Sequence, residues 1–197
     1  MSTSFRRKRD SRGSYHHGEL RAAILQAAGE LLEERGGADL SLREAARRAG
    51  VSHNAPYRHF ADRDALLAAL AAQGFARLDE ALAAAAGGPR ARGEAYVQFA
   101  LRNPARFRLM FGGLLPLDAY PALRAAAAQT YAGLLRAFEA VTGASGAPIA
   151  AAAAWSLTHG LAQLLLDGHF SQLPRGEAAV AAFVREVLGA VRLARAR

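Results

Sequence analysis

The stretch whose spacing carries the most chemistry is Leu42 to Phe60, LREAARRAGVSHNAPYRHF. Two short helices cross steeply only where small side chains sit at the crossing and the connection bends tightly. Ala46, Gly50 and Val51 meet those needs at helix-turn-helix spacing, a unit that offers one helix to DNA. Ala-x-x-x-Gly-Val arises by chance in alanine-rich chains. Specificity comes from the continuation, Tyr57-Arg58-His59-Phe60 followed by Asp62-Arg63-Asp64-Ala65-Leu66-Leu67. Other chemistries lack their residues. The chain has no cysteine, which excludes disulfides, thiolate zinc sites and cysteine nucleophiles. No phosphate loop, dinucleotide fingerprint, nucleophile elbow or paired-carboxylate helix pattern occurs, so no catalytic residue and no cofactor is expected. Tyr15-His16-His17-Gly18-Glu19 has metal-ligand residue types but no third well-spaced ligand set, and no metal site is expected.

The elements that must position this motif are helical. Ala, Leu and Arg dominate while Val, Ile, Thr and aromatics are sparse, so summed propensity favours helix almost everywhere and no sheet is expected. Leu20, Ile24, Ala27, Ala28, Leu31 and Leu32 form one amphipathic stripe that ends at Gly36-Gly37. Ser41-Leu42-Arg43-Glu44 has the capping-box pattern for a short second helix ended by Gly50. Ser52 can cap a third helix through Phe60. Asp62 can cap a fourth that carries Leu66, Leu67, Leu70, Phe75, Leu78 and Leu82 before Gly87-Gly88-Pro89. Further helices are expected near 90 to 102, 104 to 111, 119 to 142, 147 to 167 and 176 to 194, the last with a stripe at Val180, Phe183, Val184, Val187, Leu188 and Val191. The expected fold is all-α with about nine helices.

At 197 residues the chain accommodates a small DNA-binding module and a larger helical domain. The net charge is +8, and five of the first twelve residues are Arg or Lys against one Asp. Such an excess suits a polyanionic partner slightly better than it suits the alternative, solubility alone. Phe5 to Arg12 is too charged to fold alone; contact with phosphates or the minor groove and a solubilising tail are both open readings. No apolar core follows Arg6-Arg7-Lys8-Arg9, so this is not read as a secretory signal. Between Glu139 and Asp167 no charged residue occurs, long enough to cross a bilayer. The weak hydrophobicity of its alanines and the presence of Ser156, Thr158, His159 and Gln163 favour burial at a subunit interface over a membrane.

Ser41 to Leu67 resembles the DNA-binding domain of the TetR family of transcriptional regulators, and the likeness extends back through Glu19 to Arg35. Asn103 to Phe111 and Trp155 to Gly160 resemble the C-terminal domain subtype of that family named for its Trp, His and Gly. The resemblance implies a basic flexible arm at 1–17, a helix-turn-helix domain at 18–64 and a helical ligand-binding and dimerisation domain at 65–197. It implies that the third helix lies in the major groove with His53, Asn54 and Ala55 near base edges, where Asn pairs with adenine and the Ala methyl meets thymine. Ser52 opens that helix. Tyr57 and His59 match phosphate-bonding positions, and Arg63 stands where the family usually has Lys; Ser41, Arg43 and Arg58 are further phosphate candidates. One departure is Pro56, where many relatives carry a large aliphatic residue. A proline in the fourth position after a Ser52 cap forgoes one intrahelical amide bond.

The same resemblance implies a ligand pocket in the C-terminal domain, with Phe75, Phe99, Phe107, Met110, Phe111, Trp155 and His159 as candidate walls. His159 is weighed also as a hydrogen-bonded interior histidine. It further implies a homodimer through the last two helices, a palindromic operator in double-stranded DNA, an unidentified small-molecule effector, repression relieved by that effector, and a cytoplasmic protein with no membrane partner. The alternative is a small helical ligand carrier or enzyme whose basic surface is incidental.

Overall fold

The computed structural model describes residues 17–36, 40–170, 172 and 176–190, and among these there is no strand. α1 (His17–Arg35), α2 (Leu42–Arg48) and the start of α3 (Arg63–Ala84) form a small head. The remainder of α3 leads into a body of α4 (Gly88–Arg102), α5 (Pro104–Phe111), α6 (Pro121–Leu166) and α7 (Glu177–Ala190). Two 3-10 turns, Pro56–Arg58 and Leu117–Ala119, complete the described elements. The basic arm through His16 and the end of the last stripe at Val191 lie outside the described residues.

Seven α-helices stand among the described residues where nine were expected, and two local causes account for the difference. The segments 119 to 142 and 147 to 167 join as α6, interrupted at Gly143 with φ 74° and ψ 168°. That left-handed backbone is open to glycine at little cost, and it bends the rod into two arms. Phe138 against Ala147 and Ala151 keeps the arms packed across the bend. The second cause is at Ser52 to Phe60, where no α-helix forms. Its bonds run from Ala55 N–H to the Ser52 carbonyl at 2.9 Å and from His59 N–H to the Pro56 carbonyl at 2.9 Å. Pro56 has no N–H to donate to the Ser52 carbonyl, so an α-helical ladder cannot start from the expected cap. The Ser52 side chain caps nothing here: the 3-10 turn has Ala55 before it and no side-chain cap.

The head folds as its caps and stripe dictate. Ile24, Leu25, Ala28, Leu31 and Leu32 of α1 are buried against Leu42, Ala45, Phe60, Leu66 and Leu67. Ser41 Oγ accepts from Glu44 N–H at 3.1 Å, and Asp62 Oδ1 accepts from Ala65 N–H at 2.7 Å. The reciprocal half of the capping box is not used: the Glu44 carboxylate takes Arg47 at 2.5 Å and Arg35 at 3.1 Å instead. Arg48 pairs with Glu34 at 2.6 Å, tying α2 to α1. In the body, all six expected apolar positions of α3 are buried. On α7, Val184 and Leu188 are buried while Val180, Phe183 and Val187 are half-covered.

By length and composition α6 is the one described helix apolar enough to cross a bilayer. The bend at Gly143 and the proline at position 148 divide it.

Candidate nucleic-acid interface and apolar cavity

The connection from α2 to the next segment is set by the backbone after α2. Val51 N–H reaches the Ala46 carbonyl at 3.0 Å and Gly50 N–H the Arg47 carbonyl at 3.2 Å, with Gly50 at φ 68°. These are the two bonds of a Schellman motif, which needs the left-handed residue that glycine supplies. The chain then leaves α2 abruptly, and Pro56 and Phe60 anchor the next segment in the head core. Around these anchors, Ser52, His53 and Asn54 before Pro56 and Tyr57 and Arg58 after it are exposed, with Tyr57 at 49%. Ser41 and Arg43 are exposed at the neighbouring start of α2, and Ala55 is half-buried.

Two expected contacts sit differently. His59 is half-buried with its ring edge-on to Phe60 at 6.4 Å between centroids. Arg63 donates Nε–H to the Leu40 carbonyl at 2.8 Å and lies 3.5 Å from Asp64. Arg63 therefore also clamps the start of α3 to the loop before α2, a role that sequence spacing does not reveal.

In the body, α3, α4, α5 and α6 enclose a cavity of about 310 Å3. Four of the seven expected wall residues line it: Phe75, Met110, Phe111 and Trp155. Phe99, Phe107 and His159 do not; Phe107 and Phe99 are core residues behind the wall, 0% and 8% exposed. Phe107 packs edge-on against Tyr96 at 5.7 Å and beside Phe111 at 4.9 Å.

Tyr96 was not anticipated and holds the wall together. Its hydroxyl accepts from Trp155 Nε1–H at 3.2 Å and lies 2.9 Å from His159 Nδ1. The phenol can accept from the indole and donate to the imidazole, which fixes the proton of His159 on Nε2. Burial pushes the Tyr96 phenol above its ordinary range, against a smaller opposing effect of the Trp155 bond. Burial also holds the His159 imidazole below its ordinary 6.5, so it stays neutral at physiological pH. His159 is half-buried and within hydrogen-bond distance of the Tyr96 hydroxyl.

The rest of the wall includes Arg92, Leu115, Leu123, Thr130, Tyr131 and Thr158. Thr130 Oγ1 donates to the Ala126 carbonyl at 3.2 Å and Thr158 Oγ1 to the Ala154 carbonyl at 2.8 Å. Arg92 is half-buried, and its Nε has no hydrogen-bond partner.

α5 connects cavity and head. Met110 lines the cavity, and one turn earlier Arg106, 2% exposed, points into the joint between α1 and α3. Its Nη1 lies 3.3 Å from both the Leu70 carbonyl and Gln73 Oε1. Glu33 of α1 accepts from the backbone N–H groups of Ala105 and Arg106 at 3.2 and 3.1 Å, and sits 3.9 Å from Arg106 Nε. One carboxylate of the head therefore caps the first turn of α5. Burial and the charge of Arg77 pull the Arg106 pKa down, and Glu33 opposes them. Gly29 and Gly74 make room: a Cβ on Gly74 would stand 2.6 Å from Met110 Sδ.

Residues 24–70 match the family described as bacterial regulatory proteins, tetR family, and residues 90–191 match the tetracyclin repressor-like C-terminal domain. A stretch of 52 residues is 48% identical to an HTH-type transcriptional repressor of Mycobacterium tuberculosis, covering 26% of this chain and 28% of that protein. A solved protein of unknown function from Rhodococcus sp. RHA1 is 39% identical with TM-score 0.68, over 89% of this chain and 93% of that one. The multidrug binding protein EbrR, solved with imidazole, is 26% identical with TM-score 0.55, over 87% of this chain and 93% of that one.

Proposed function

The chain belongs to the TetR family of bacterial transcription regulators, and on that premise we propose that it is a dimeric repressor released from a palindromic operator by a small molecule held in the body cavity. The observation that carries this reading is the largely exposed segment from Ser52 to Arg58, which follows the Gly50 turn and is held to the head by buried Pro56 and Phe60. The N-terminal module reads DNA and the C-terminal domain senses, with the boundary near the start of α3. A 3-10 turn replaces the expected third helix, so His53, Asn54 and Ala55 approach base edges from a compact turn. Tyr57, Arg58, Ser41 and Arg43 flank it toward phosphates; His59 and Arg63 contribute mainly by holding the turn and α3 in place.

Two-fold symmetry supplies the second reading head. The dimer face is the second arm of α6 with α7. Ile149, Ala152, Ala153, Ser156 and Leu164 face outward along that arm, with Ile149 78% exposed. A Cβ on Gly160 would meet nothing within 4 Å in this chain, which leaves room for close approach by a partner helix. The domain is of the subtype named for Trp, His and Gly, in which Trp155 and His159 share the Tyr96 hydroxyl. The apolar arm is covered by the partner subunit, in keeping with a soluble cytoplasmic protein.

Release is a population shift between two spacings of the reading heads. A ligand that displaces Met110 moves α5, and α5 moves the Arg106 and Glu33 contacts on α1. The test is selection from a random duplex library followed by titration of the selected site against a scrambled one. Preference for one palindrome is expected, with Tyr57→Phe or Arg63→Ala weakening binding broadly and Asn54→Ala changing sequence preference. Equal, wholly salt-driven binding to both duplexes would favour a carrier with an incidental basic surface.

A further inference from the structure

We propose that the molecule accepted by the cavity is an organic acid, with an apolar body against the aromatic wall and a carboxylate paired with Arg92. This rests on the reading of the cavity as the effector site and adds the chemistry of what enters it.

Arg92, in the second turn of α4, is the one charged residue among those lining the cavity, and no carboxylate stands beside it there. Its Nε is buried without a hydrogen-bond partner, and it takes part in no hydrogen bond or ion pair among the described residues. The nearest acid along the helix is Glu94, and Arg90 occupies it at 3.3 Å. A guanidinium set against apolar surface with an unsatisfied N–H loses hydration that an anionic acceptor restores, and its planar fork suits a carboxylate. Of the cavity's other polar side chains, Tyr131 offers only a neutral phenol, and the rest are engaged. Thr130 and Thr158 donate to helix carbonyls, and the Tyr96 hydroxyl is shared by Trp155 and His159. The aromatic remainder of the wall takes an apolar body, and about 310 Å3 is near the lower limit of ligand cavities, which keeps that body small.

Trp155 is the only tryptophan in the chain and lines the cavity, so its fluorescence reports occupancy without a label. The probes are phenylacetate, phenylpropionate and phenylbutyrate, each with its matching alcohol and amine, titrated into the full-length protein at low salt. The carboxylate that binds best is expected to exceed its alcohol by about tenfold in affinity and its amine by more, as a charged hydrogen bond would give. Arg92→Gln should bring the carboxylate to the affinity of the alcohol and leave the alcohol unchanged, while Arg92→Lys keeps part of the preference. An alcohol or amine that binds the wild-type protein as well as its carboxylate overturns the acid, with the effector cavity intact. Silence of Trp155 toward every probe overturns both. The wild-type comparison decides the matter even if a variant is poorly folded.

Discussion

Removing the Glu33 carboxylate should loosen the joint between head and body, and the size of the effect follows from what it holds. Glu33 accepts two backbone N–H groups at the first turn of α5, at 3.2 and 3.1 Å, and is the one carboxylate facing Arg106. Loss of a helix cap costs about 1 kcal/mol. Leaving a buried guanidinium without its counter-charge costs about 3–5 kcal/mol in a closed site. Glu33 is 29% exposed and its ion pair is long, at 3.9 Å, so the lower part of that range applies. Glu33→Ala is therefore expected to lower stability by about 4 kcal/mol, a fall in Tm of roughly 8–16 °C for a chain of this size. Glu33→Gln, which keeps an acceptor oxygen, should cost less. In an Arg106→Met background, where no charge is stranded, Glu33→Ala should cost only about the 1 kcal/mol of the cap. Urea unfolding of the four proteins measures the cycle. A Glu33→Ala effect under 1 kcal/mol, or the same effect with and without Arg106, would refute the reasoning.

A Cβ at Gly74 would stand 2.6 Å from Met110 Sδ and 3.1 Å from Arg106 Cγ, so Gly74→Ala should drive Met110 toward the cavity. Overpacking of about 1–3 kcal/mol less a helix-propensity gain of about 1 leaves a modest net loss of stability, with weaker probe binding by Trp155 fluorescence. Gly50 has φ 68° with open space around it, so Gly50→Ala should cost about 1–2 kcal/mol through backbone strain alone, read by urea unfolding. His159 is neutral in the fold and titrates below 6.5, whereas the unfolded chain takes up that proton at about 6.5. The unfolded state then binds more protons in that window, and stability should fall as pH drops from about 6.5 through the folded pKa. His159→Gln should flatten that limb of a Tm against pH curve.

The parts of the fold that were legible in the sequence are those settled within a few residues. Ser41 and Asp62 cap the helices their spacing foretold, and Gly50 closes α2, because caps and turns are local hydrogen-bonding problems. The failure at Ser52 to Phe60 is equally local: the missing N–H of Pro56 was visible, and its effect was larger than one lost bond. The cavity was harder to read. Phe75, Met110, Phe111 and Trp155 line it while Phe107 lies behind it, and helical spacing cannot separate positions 107 and 111, which share a helix face. Tyr96 escaped notice because its partners lie far away in the chain; His159 and Trp155 are 63 and 59 residues from it. Arg92 had the sequence appearance of a surface charge, like Arg90 beside it. The Glu33 cap on α5 spans more than seventy residues and leaves no periodic signature.

The central claim is that the segment after Gly50 enters a DNA groove twice, once per subunit. The chain has no cysteine, so Asn54→Cys carries its sole thiol, and an iron chelate attached there cuts the nearest DNA backbone. On the selected operator the account predicts two symmetric clusters of cuts, about 10 base pairs or a whole multiple of that apart, both lost from a scrambled duplex. A single cluster, or cuts scattered without regard to sequence, would contradict it.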